Sequence, residues 1–544
     1  MNPVSVTLDV NIFVLLAVIV VYLGAIAFLS YWGRITSRGG DDFASGGRNI
    51  PPFVMALSYG AAFISTSAIV GFGGMAAGIG LSLLWLAGAN IFFGIFLAFA
   101  VFGRRTRAVG LALNAHTFPE FLGARVSSPF VRLFTAAVMV VSMPLYAAAV
   151  LIGAARILES LLGVPYEWAL AAFSLLVAVY VLVGGLRGVM YTDALQGTLM
   201  ALGMIFLLVA MFVRLGGPVE AFSKLHAMKE LVPEASAAQG HRGWLSSPQP
   251  FSQLWWVLYS SLVFGVGIGV LAQPHLAVRC LTVKSNRELN RAVVVGGLFI
   301  LITVATPYVL GALSNVFFYE KSGKLALEAA GFNADSVIPL LIKQAMPGWF
   351  SYFFMLVILS AAISTLSSQF HAIGVSFGRD LFEAAARGRI HSRYSVLISR
   401  IGIIAAILLT IFLSMKMGAG IIARATSIFF GIMASGYLAP FLLSLYWKRL
   451  TKAGVIAGML SGLAAALIGF LFFHEAESAV FGLPQLLFGT PAAVMNSFRF
   501  VDPLVYALPV SAAVTVIVSL CTAVKNEEIV KKWTDFFNEI SYFC

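Results

Sequence analysis

The sequence is poor in charge and in cysteine. Only 11% of its 544 residues are charged, 60% are hydrophobic, and the mean hydropathy is +0.94. A soluble protein of this length needs far more polar surface, so a single long membrane domain is the better prediction. The three cysteines, Cys280, Cys521 and Cys544, are scattered and odd in number. They give neither a disulfide framework nor the spacing of a metal site.

Motifs for ATP-driven or covalent chemistry are also missing. There is no phosphate-binding loop of the G-x-x-x-x-G-K-[ST] type, which argues against an ATP-driven pump. Neither paired Cys/His ligands nor a serine-nucleophile elbow is present, so we expect no enzymatic activity. The net charge of +12 would indicate nucleic-acid binding in a soluble protein. Here the basic residues lie between apolar runs, so we expect a bilayer and a small molecule as partners, with no nucleic acid and no obligatory protein partner.

Apolar runs long enough to cross a bilayer, about 20 residues each, recur along the whole chain. We therefore predict an all-α integral membrane protein with about thirteen transmembrane helices. The predicted spans are 10–32, 51–79, 80–102, 130–160, 165–184, 189–213, 251–273, 292–316, 348–377, 396–416, 421–446, 454–473 and 502–524.

Basic residues occupy every second loop. Such loops stay in the cytoplasm, which predicts an external N-terminus, a cytoplasmic C-terminus and a multi-pass protein of the cell (inner) membrane. The basic tail at 525–544 is then expected on the inner leaflet. The loops contain Arg34, Arg38 and Arg48; Arg104, Arg105, Arg107 and Arg125; Arg187; Arg279, Lys284, Arg287 and Arg291; Arg387, Arg389 and Arg393; Lys448, Arg449 and Lys452; and Lys525, Lys531 and Lys532.

Two spans carry residues that weaken a helix. The second opens with Pro51-Pro52 and has small and hydroxylated residues at 58–67, and the seventh contains Gly265, Gly267 and Gly269 before Pro274. Interrupted helices at matching positions of two halves are typical of transporters, because freed carbonyls can bind a cation. The two spans lie five apart, which suits two inverted repeats of five helices. This predicts an extra N-terminal helix and first loop at 1–50, repeats at 51–214 and 251–447, an external loop at 215–250, two extra helices at 448–524 and the tail.

Hydroxyl groups are concentrated in the ninth span. Ser364, Ser367 and Ser368 share one helical face, and Thr365 lies beside them with Ala361 one turn away. Hard cations such as Na⁺ prefer oxygen ligands. Back-bonding of Ser and Thr to their own helix is the commoner role, but it explains four hydroxyls in five residues less well.

Other polar residues are weaker candidates. Asp193 at the start of the sixth span is either a functional acid or one that faces water at a helix N-terminus. Arg156 and Arg424 lie near outer helix ends, where they could meet an anionic substrate or snorkel to the interface. Trp85, Tyr146 and Phe429 could close a cavity, although aromatic residues in membrane bundles are more often core.

Short motifs in a fixed order give the chain a resemblance to the sodium/solute symporters, the family of proline and pantothenate permeases and sodium/glucose carriers. The resemblance runs from about Asp41 to Gly454 and includes Asp193, Gln196 and Arg279. Its motifs are FASGGR at 43–48, TFPEFL at 117–122, GGLR at 184–187, QPH at 273–275, STLS at 364–367, GYLAP at 436–440 and YWK at 446–448.

The resemblance implies a leucine-transporter-like fold and a family sodium site. Its ligands would be the carbonyls of Ala61, Ile64 and Ala361 and the hydroxyls of Ser364 and Thr365. Some sialic-acid carriers in the family use a second sodium site. At matching places this sequence has Asp193, Ser364, Ser367 and Ser368, so Na⁺ is the expected coupling ion, with one site or two.

The resemblance also bears on the substrate. Proline permeases have an aspartate where Phe63 stands, and sugar carriers have an acidic residue where Ala87 stands, so neither substrate is favoured. Residues 163–167 and 274–280 are similar to pantothenate permease. We therefore expect sodium-coupled import of a small carboxylate, pantothenate or a monocarboxylate.

Substrate contacts are expected near the middle of the bilayer, from Ser65, Thr66, Gly267 and Ser435. The alternatives are symport of proline or another amino acid, proton coupling on the same fold, a membrane sensor input module and a channel. The sensor is disfavoured because only about 20 residues follow the last span, too few for a signalling domain.

Overall fold

The computed structural model describes residues 12–36, 46, 49–384, 392–418 and 420–522. This part of the chain is a bundle of helices without strands. The basic tail, most of the FASGGR motif and the loop residues Arg38, Arg387 and Arg389 lie outside the described residues.

Long apolar helices form the bundle. Ten are long and apolar enough to cross a membrane, and a bent pair forms one further span. Two shorter apolar stretches, Ala17–Gly33 and Tyr166–Val179, accompany them, and the expected total of thirteen stays a prediction. The helices are α1 Ile12–Ile35, α2 Pro52–Phe63, α3 Ser67–Ile79, α4 Leu81–Ala112, α5 Phe118–Arg125, α6 Pro129–Leu162, α7 Tyr166–Arg214, α8 Gln253–Ala272, α9 Asn286–Ser322, α10 Gly348–Glu383, α11 Ser392–Lys416, α12 Ile422–Tyr446, α13 Lys452–Phe473 and α14 Leu504–Cys521.

Short helices close the bundle at its two ends. Most of them follow a long apolar helix and lie in the segments that the sequence predicts as loops. They are Pro218–Ala227, Met228–Leu231, Glu234–Ala238, Pro274–Ala277, Val278–Leu281, Ala326–Ala329, Ala334–Ser336, Val337–Ala345, Glu475–Phe481, Leu483–Phe488 and Ser497–Phe500.

One side of the bundle is basic, and we call it the basic side. It is the side at which α4 ends and α6, α9 and α13 begin, and its arginines and lysines include Arg104, Arg125, Arg287 and Lys448. The sequence predicts that this side faces the cytoplasm.

Residues 166–214 carry helical backbone throughout, Arg187 included, but their apolar part divides into Tyr166–Val179 and Leu186–Arg214. Both ends of α7 lie on the side opposite the basic side. The Tyr166 hydroxyl donates to the Ser414 carbonyl at the end of α11, and Arg214 donates to the Ala345 carbonyl just before α10. Arg187 donates to the carbonyl of Thr36 at the end of α1. The chain therefore reverses direction between the two apolar stretches, near Arg187, where the sequence predicts a basic loop.

The second span is broken, as the sequence predicts. α2 and α3 meet at an angle of 56°, and Ile64 between them has extended backbone (φ −88°, ψ 106°). The last hydrogen bond of α2 runs from the Ile64 amide to the Gly60 carbonyl. The amides of Ala68 and Ser67 bond to the Ser65 carbonyl and hydroxyl instead of continuing that helix.

The seventh span behaves differently from the expectation. Gly267 and Gly269 keep helical backbone, and the extended residue is Gln273, immediately before Pro274. The two glycines allow close packing instead. A Cβ on Gly267 would lie 2.7 Å from Cβ of Ala89, and one on Gly269 would lie 2.8 Å from Cβ of Phe430.

Glycines also allow the last two helices to pack closely together. Gly454, Gly458 and Gly462 lie along one face of α13, where a Cβ on Gly458 would lie only 1.7 Å from the Thr515 hydroxyl of α14. Small residues at this spacing let membrane helices approach closely, which replaces the hydrophobic driving force that lipid removes. The flanking pair α13 and α14 thus forms a compact unit beside α12.

Candidate functional site

The break between α2 and α3 faces the hydroxyl groups of α10. The Ser364 hydroxyl donates to the Ala61 carbonyl at 2.8 Å, and the Thr365 hydroxyl lies 3.2 Å from the Ala62 carbonyl and 3.5 Å from that of Ala61. Ser364 and Thr365 are completely buried. The break leaves these carbonyls without amide donors, because no further helical turn of α2 follows. Hydroxyl groups of α10 bond to them instead.

The remaining predicted ligands lie at the same place. The Ala361 carbonyl is 3.3 Å from the Ser364 hydroxyl, on the α10 side. Ile64 occupies the extended link, where the neighbouring amides bond to Ser65. Carbonyl and hydroxyl oxygens are neutral ligands of the kind that a hard cation such as Na⁺ prefers.

A second buried polar group lies on the basic side of this break. Asp193 of α7 and Arg279 form a salt bridge of 2.7 Å in which both side chains are fully buried. Asp193 also accepts from Ser58 at 3.0 Å, and Ser368 lies 3.4 Å away. The water-facing interpretation of Asp193 is therefore wrong, because α1, α2 and α10 cover it. A buried ion pair in the membrane is costly and marks a functional region.

Arg279 connects this cluster. Its guanidinium donates to Asp193, to Ser58 at 3.1 Å and to Ser368 at 2.6 Å, and also to the His275 carbonyl at 2.8 Å. The cluster thus joins the second, sixth and ninth predicted spans to the short helix Val278–Leu281 that follows the seventh.

Three of the four hydroxyls of α10 bond to their own helix. The hydroxyls of Ser367 and Ser368 donate to the Ser364 carbonyl at 3.1 and 2.8 Å, and that of Ser364 is 3.3 Å from the Ala361 carbonyl. The back-bonding interpretation therefore applies to all three, although Ser364 also donates to the Ala61 carbonyl and Ser368 also contacts Asp193 and Arg279.

An aromatic cluster lies next to the break on the opposite side. The Tyr146 hydroxyl of α6 donates to the Ser65 hydroxyl at 3.2 Å. Its ring stacks on Phe429 at 5.4 Å and meets Phe430 edge-on at 5.2 Å, both in α12. Tyr146 thereby links the helix break to α12, which makes it a positioning residue for Ser65.

The other residues predicted for the substrate are buried at separate points. The Thr66 hydroxyl donates to the Val150 carbonyl at 2.7 Å, and Gly267 packs on Ala89. Ser435 of α12 is buried, and its hydroxyl has no partner within the described residues. The Ser65 hydroxyl accepts from Tyr146 and from the Ser67 amide.

The two arginines near the outer helix ends form salt bridges with glutamates. Arg156 bonds to Glu159 at 2.7 Å, and Arg424 bonds to Glu477 at 3.1 Å. Glu477 in turn contacts His474. These pairs occupy both guanidinium groups on the side opposite the basic side.

Asp502 lies beside this last group, just before α14. Its carboxylate accepts from the Leu504 amide at 2.9 Å, and its amide donates to the Ser260 hydroxyl of α8 at 3.0 Å. Asp502 is only 2% exposed, so its carboxylate is held inside the bundle, between α8 and α14.

Sequence reasoning missed Arg279 as the partner of Asp193. The sequence places Arg279 in a basic loop after the seventh predicted span, and no local pattern pairs it with Asp193. Ser58, which the sequence places only among small residues of the second span, completes the cluster.

These features define a class of protein. A helical bundle with one broken span, whose free carbonyls face hydroxyls of another span, is the arrangement of a secondary transporter with a cation site. The chain matches the model of the sodium:solute symporter family over residues 43–462, and it belongs to this family. It is therefore a Na⁺-coupled symporter of a small molecule, embedded in the membrane by many spans, and not an enzyme.

Its relatives are distant but cover most of the chain. It is 26% identical over 490 residues to sodium/proline symporter 2 of Staphylococcus saprophyticus, which covers 88% of this chain and 91% of the relative. It is 27% identical over 486 residues to the sodium/pantothenate symporter of Haemophilus influenzae, covering 87% and 95%. The solved structure of a Na⁺-coupled sialic acid symporter covers 94% of this chain and 98% of its own, with a TM-score of 0.74 at 19% identity. This likeness confirms the leucine-transporter-like fold.

Proposed function

We propose that the chain imports a small organic carboxylate, such as pantothenate or a monocarboxylate, together with Na⁺. The observation that carries the proposal is the contact of the Ser364 and Thr365 hydroxyls with the carbonyls of Ala61 and Ala62 at the helix break. Each Na⁺ that enters gains about 2.3 kcal/mol per 100 mV of membrane potential. That energy is available to concentrate the substrate.

The first sodium ion binds to the carbonyls of Ala61, Ile64 and Ala361 and to the hydroxyls of Ser364 and Thr365. In the described contacts the two hydroxyls donate their protons to the carbonyls. Na⁺ takes the place of those protons, because hydroxyl groups can rotate and offer lone pairs to the ion. Binding thus ties α2 and α3 to α10, and closure follows as the repeats rock.

A second sodium ion binds at Asp193 with Ser364, Ser367 and Ser368. Support comes from the buried carboxylate of Asp193 and its contact with Ser368. Arg279 already neutralises that carboxylate, so a second ion requires the guanidinium to withdraw from Asp193. Arg279 is therefore the residue that decides whether this site is available.

The carboxylate proposal rests on chemistry shared by the relatives and on one departure from the proline carriers. Phe63, a buried phenylalanine at the end of α2, stands where proline permeases have an aspartate that could hold an amine. The absence of this aspartate disfavours a zwitterionic substrate and favours an anionic one. A sodium/proline symporter is nonetheless among the relatives, so proline is the second candidate.

Uptake into proteoliposomes tests the proposal. Labelled pantothenate, lactate, proline and glucose are offered under an inward Na⁺ gradient, a matched inward K⁺ gradient and an inward H⁺ gradient. We expect accumulation of a carboxylate with Na⁺ alone. Equal uptake under the H⁺ gradient would show proton coupling and reject sodium coupling. Selective uptake of proline or glucose would reject the proposal of an anionic substrate.

A further inference from the structure

A cavity of about 460 Å³ lies between α1 and the first half of α7, and we call it the α1–α7 groove. Its volume is within the range of about 300–1,000 Å³ that is typical of small-molecule sites. Leu175 and Val179 line the groove and are exposed, so it opens sideways, toward the surface that faces the bilayer. Its floor is Ile363 of α10, the residue before Ser364. An occupant of the groove would therefore lie beside the proposed sodium site.

The groove is apolar along its length and polar at one end. Eight of its nine lining residues are apolar, and Ser30 is the polar one among these described residues. Ser30 is also the lining residue of α1 that lies nearest to the basic side. A Cβ on Gly188 would lie 3.4 Å from the Cα atom of Ser30, so the polar end of the groove packs against the point where α7 turns back.

A basic side chain lies just beyond this polar end. Arg187 is half-buried and donates to the Thr36 carbonyl at 2.7 Å, a point about 9 Å past Ser30 along α1. A guanidinium carries five N–H groups, so the bond to Thr36 leaves further donors for another acceptor. Within the part of the chain that the structure describes, no carboxylate pairs with Arg187. Its charge therefore suits an anion at this end of the groove.

Exposed aromatic residues mark the same level as the surface of the membrane. Tyr31 and Trp32 of α1 are both exposed, and the Trp32 ring meets Tyr191 of α7 edge-on at 4.8 Å. Exposed tryptophan and tyrosine residues collect where the hydrocarbon meets the lipid headgroups. The groove, which ends at Ser30, therefore lies at the depth of the acyl chains, and Arg187 lies at the depth of the headgroups.

We propose that the α1–α7 groove binds an acyl chain of an anionic phospholipid whose phosphate is held by Arg187. A cavity that is apolar, open to the bilayer and basic at headgroup depth matches such a lipid in both shape and charge. A phosphate oxygen accepts charge-assisted hydrogen bonds from a guanidinium, which favours an anionic headgroup over a zwitterionic one. The site is independent of the solute that the chain transports, and it goes beyond the proposed symport.

Native mass spectrometry of the purified protein tests the site. The affinity for dioleoylphosphatidylglycerol, which is anionic, is compared with that for dioleoylphosphatidylcholine, which is zwitterionic. Ala172 is exposed and lines the groove, so Ala172→Trp should fill it. Ala171→Trp is the matched control, because Ala171 is also exposed but lines a different cavity, between α7 and α11.

We expect the wild type to bind one phosphatidylglycerol more tightly than phosphatidylcholine, and Ala172→Trp to weaken this binding at least tenfold while Ala171→Trp leaves it unchanged. Arg187→Gln should lower the preference for phosphatidylglycerol about tenfold, the loss expected for one hydrogen bond to a charged group. Arg287→Gln, which removes an exposed arginine of α9 on the basic side, should keep the preference.

Several results would overturn the proposal. Equal binding of phosphatidylglycerol by the wild type and Ala172→Trp would reject the groove, and equal affinity of the wild type for both lipids would reject the anionic ligand. An unchanged preference in Arg187→Gln would remove Arg187 from the site. A wild-type dimer that binds no lipid and that Ala172→Trp dissociates would assign the groove to a second copy of the chain. If Ala172→Trp does not give folded protein by size-exclusion chromatography, Ala27→Trp fills the groove from α1 and replaces it under the same criteria.

Discussion

The Ser364 hydroxyl lies 2.8 Å from the Ala61 carbonyl oxygen, although 303 residues separate them in the chain. The contact joins the end of α2, where helical hydrogen bonding stops, to the middle of α10. A carbonyl without its amide and a hydroxyl without a firm partner are costly in hydrocarbon unless they meet each other or an ion. This pairing is the physical basis of the proposed sodium site.

Loss of either α10 hydroxyl should raise the sodium requirement of uptake. Ser364→Ala and Thr365→Ala each remove one oxygen ligand, and we expect the Na⁺ concentration for half-maximal uptake to rise about tenfold. Thr365→Ser should retain most of the affinity, since it keeps the hydroxyl. The measurement is initial uptake against external Na⁺.

Ser351→Ala is the control for these variants. Ser351 is a buried serine of the same helix, and its hydroxyl has no partner in the described part of the chain. Its sodium dependence should equal that of the wild type, and a similar rise there would mean that any loss of a buried hydroxyl from α10 has this effect.

Removal of the Asp193 charge should destabilise the protein. Asp193→Asn leaves the fully buried Arg279 without its counter-charge, a change that typically costs 3–5 kcal/mol. We expect a marked fall in the melting temperature of the purified protein, which the double variant Asp193→Asn, Arg279→Gln should partly reverse. Equal melting temperatures for wild type and Asp193→Asn would show that the pair is not held as described.

The same substitution tests the second ion. If Asp193 binds Na⁺, Asp193→Asn, Arg279→Gln should lower the number of Na⁺ ions coupled to each substrate, measured from the reversal potential of uptake. If the wild type couples two Na⁺ ions to each substrate and the double variant keeps the same ratio, the second site at Asp193 is rejected.

Two glycines should respond oppositely to alanine. A Cβ on Gly311 of α9 would lie 1.9 Å from the Gly73 carbonyl oxygen and 2.8 Å from Cβ of Ala76, so Gly311→Ala should separate α9 from α3 and cost about 1–3 kcal/mol. Gly88 of α4 has no atom within 4 Å of the same position, and Gly88→Ala should be neutral or stabilising. The melting temperatures of both purified variants are compared with that of the wild type. Equal melting temperatures for Gly311→Ala and Gly88→Ala would contradict the prediction.

The broken second span could be predicted because its cause is local. Small and hydroxylated residues at 58–67 weaken the helix within one segment, and the hydroxyls of α10 are visible as a cluster. The seventh span contains a similar local signal, yet its glycines serve close contacts with Ala89 and Phe430. The same residue type thus has two uses, and only the neighbouring helices decide between them.

Long-range pairings were not accessible from sequence periodicity. The bond between Arg279 and Asp193 spans 86 residues, and the bond between Tyr146 and Ser65 spans 81. Each depends on which helices become neighbours, which local patterns do not encode. The helical backbone at Arg187 escaped prediction for a related reason, because a basic residue between apolar runs indicates a loop whether or not the helix continues.

Sodium binding by the purified protein tests the central claim most directly. Thermal unfolding is followed at equal ionic strength in NaCl and KCl for the wild type and for Ser364→Ala, Thr365→Ala. The account predicts that increasing Na⁺, but not K⁺, raises the melting temperature of the wild type, because an ion that binds only the folded state stabilises it, and that the double variant loses this response. An equal Na⁺-specific rise in the double variant would contradict the site at the break between α2 and α3.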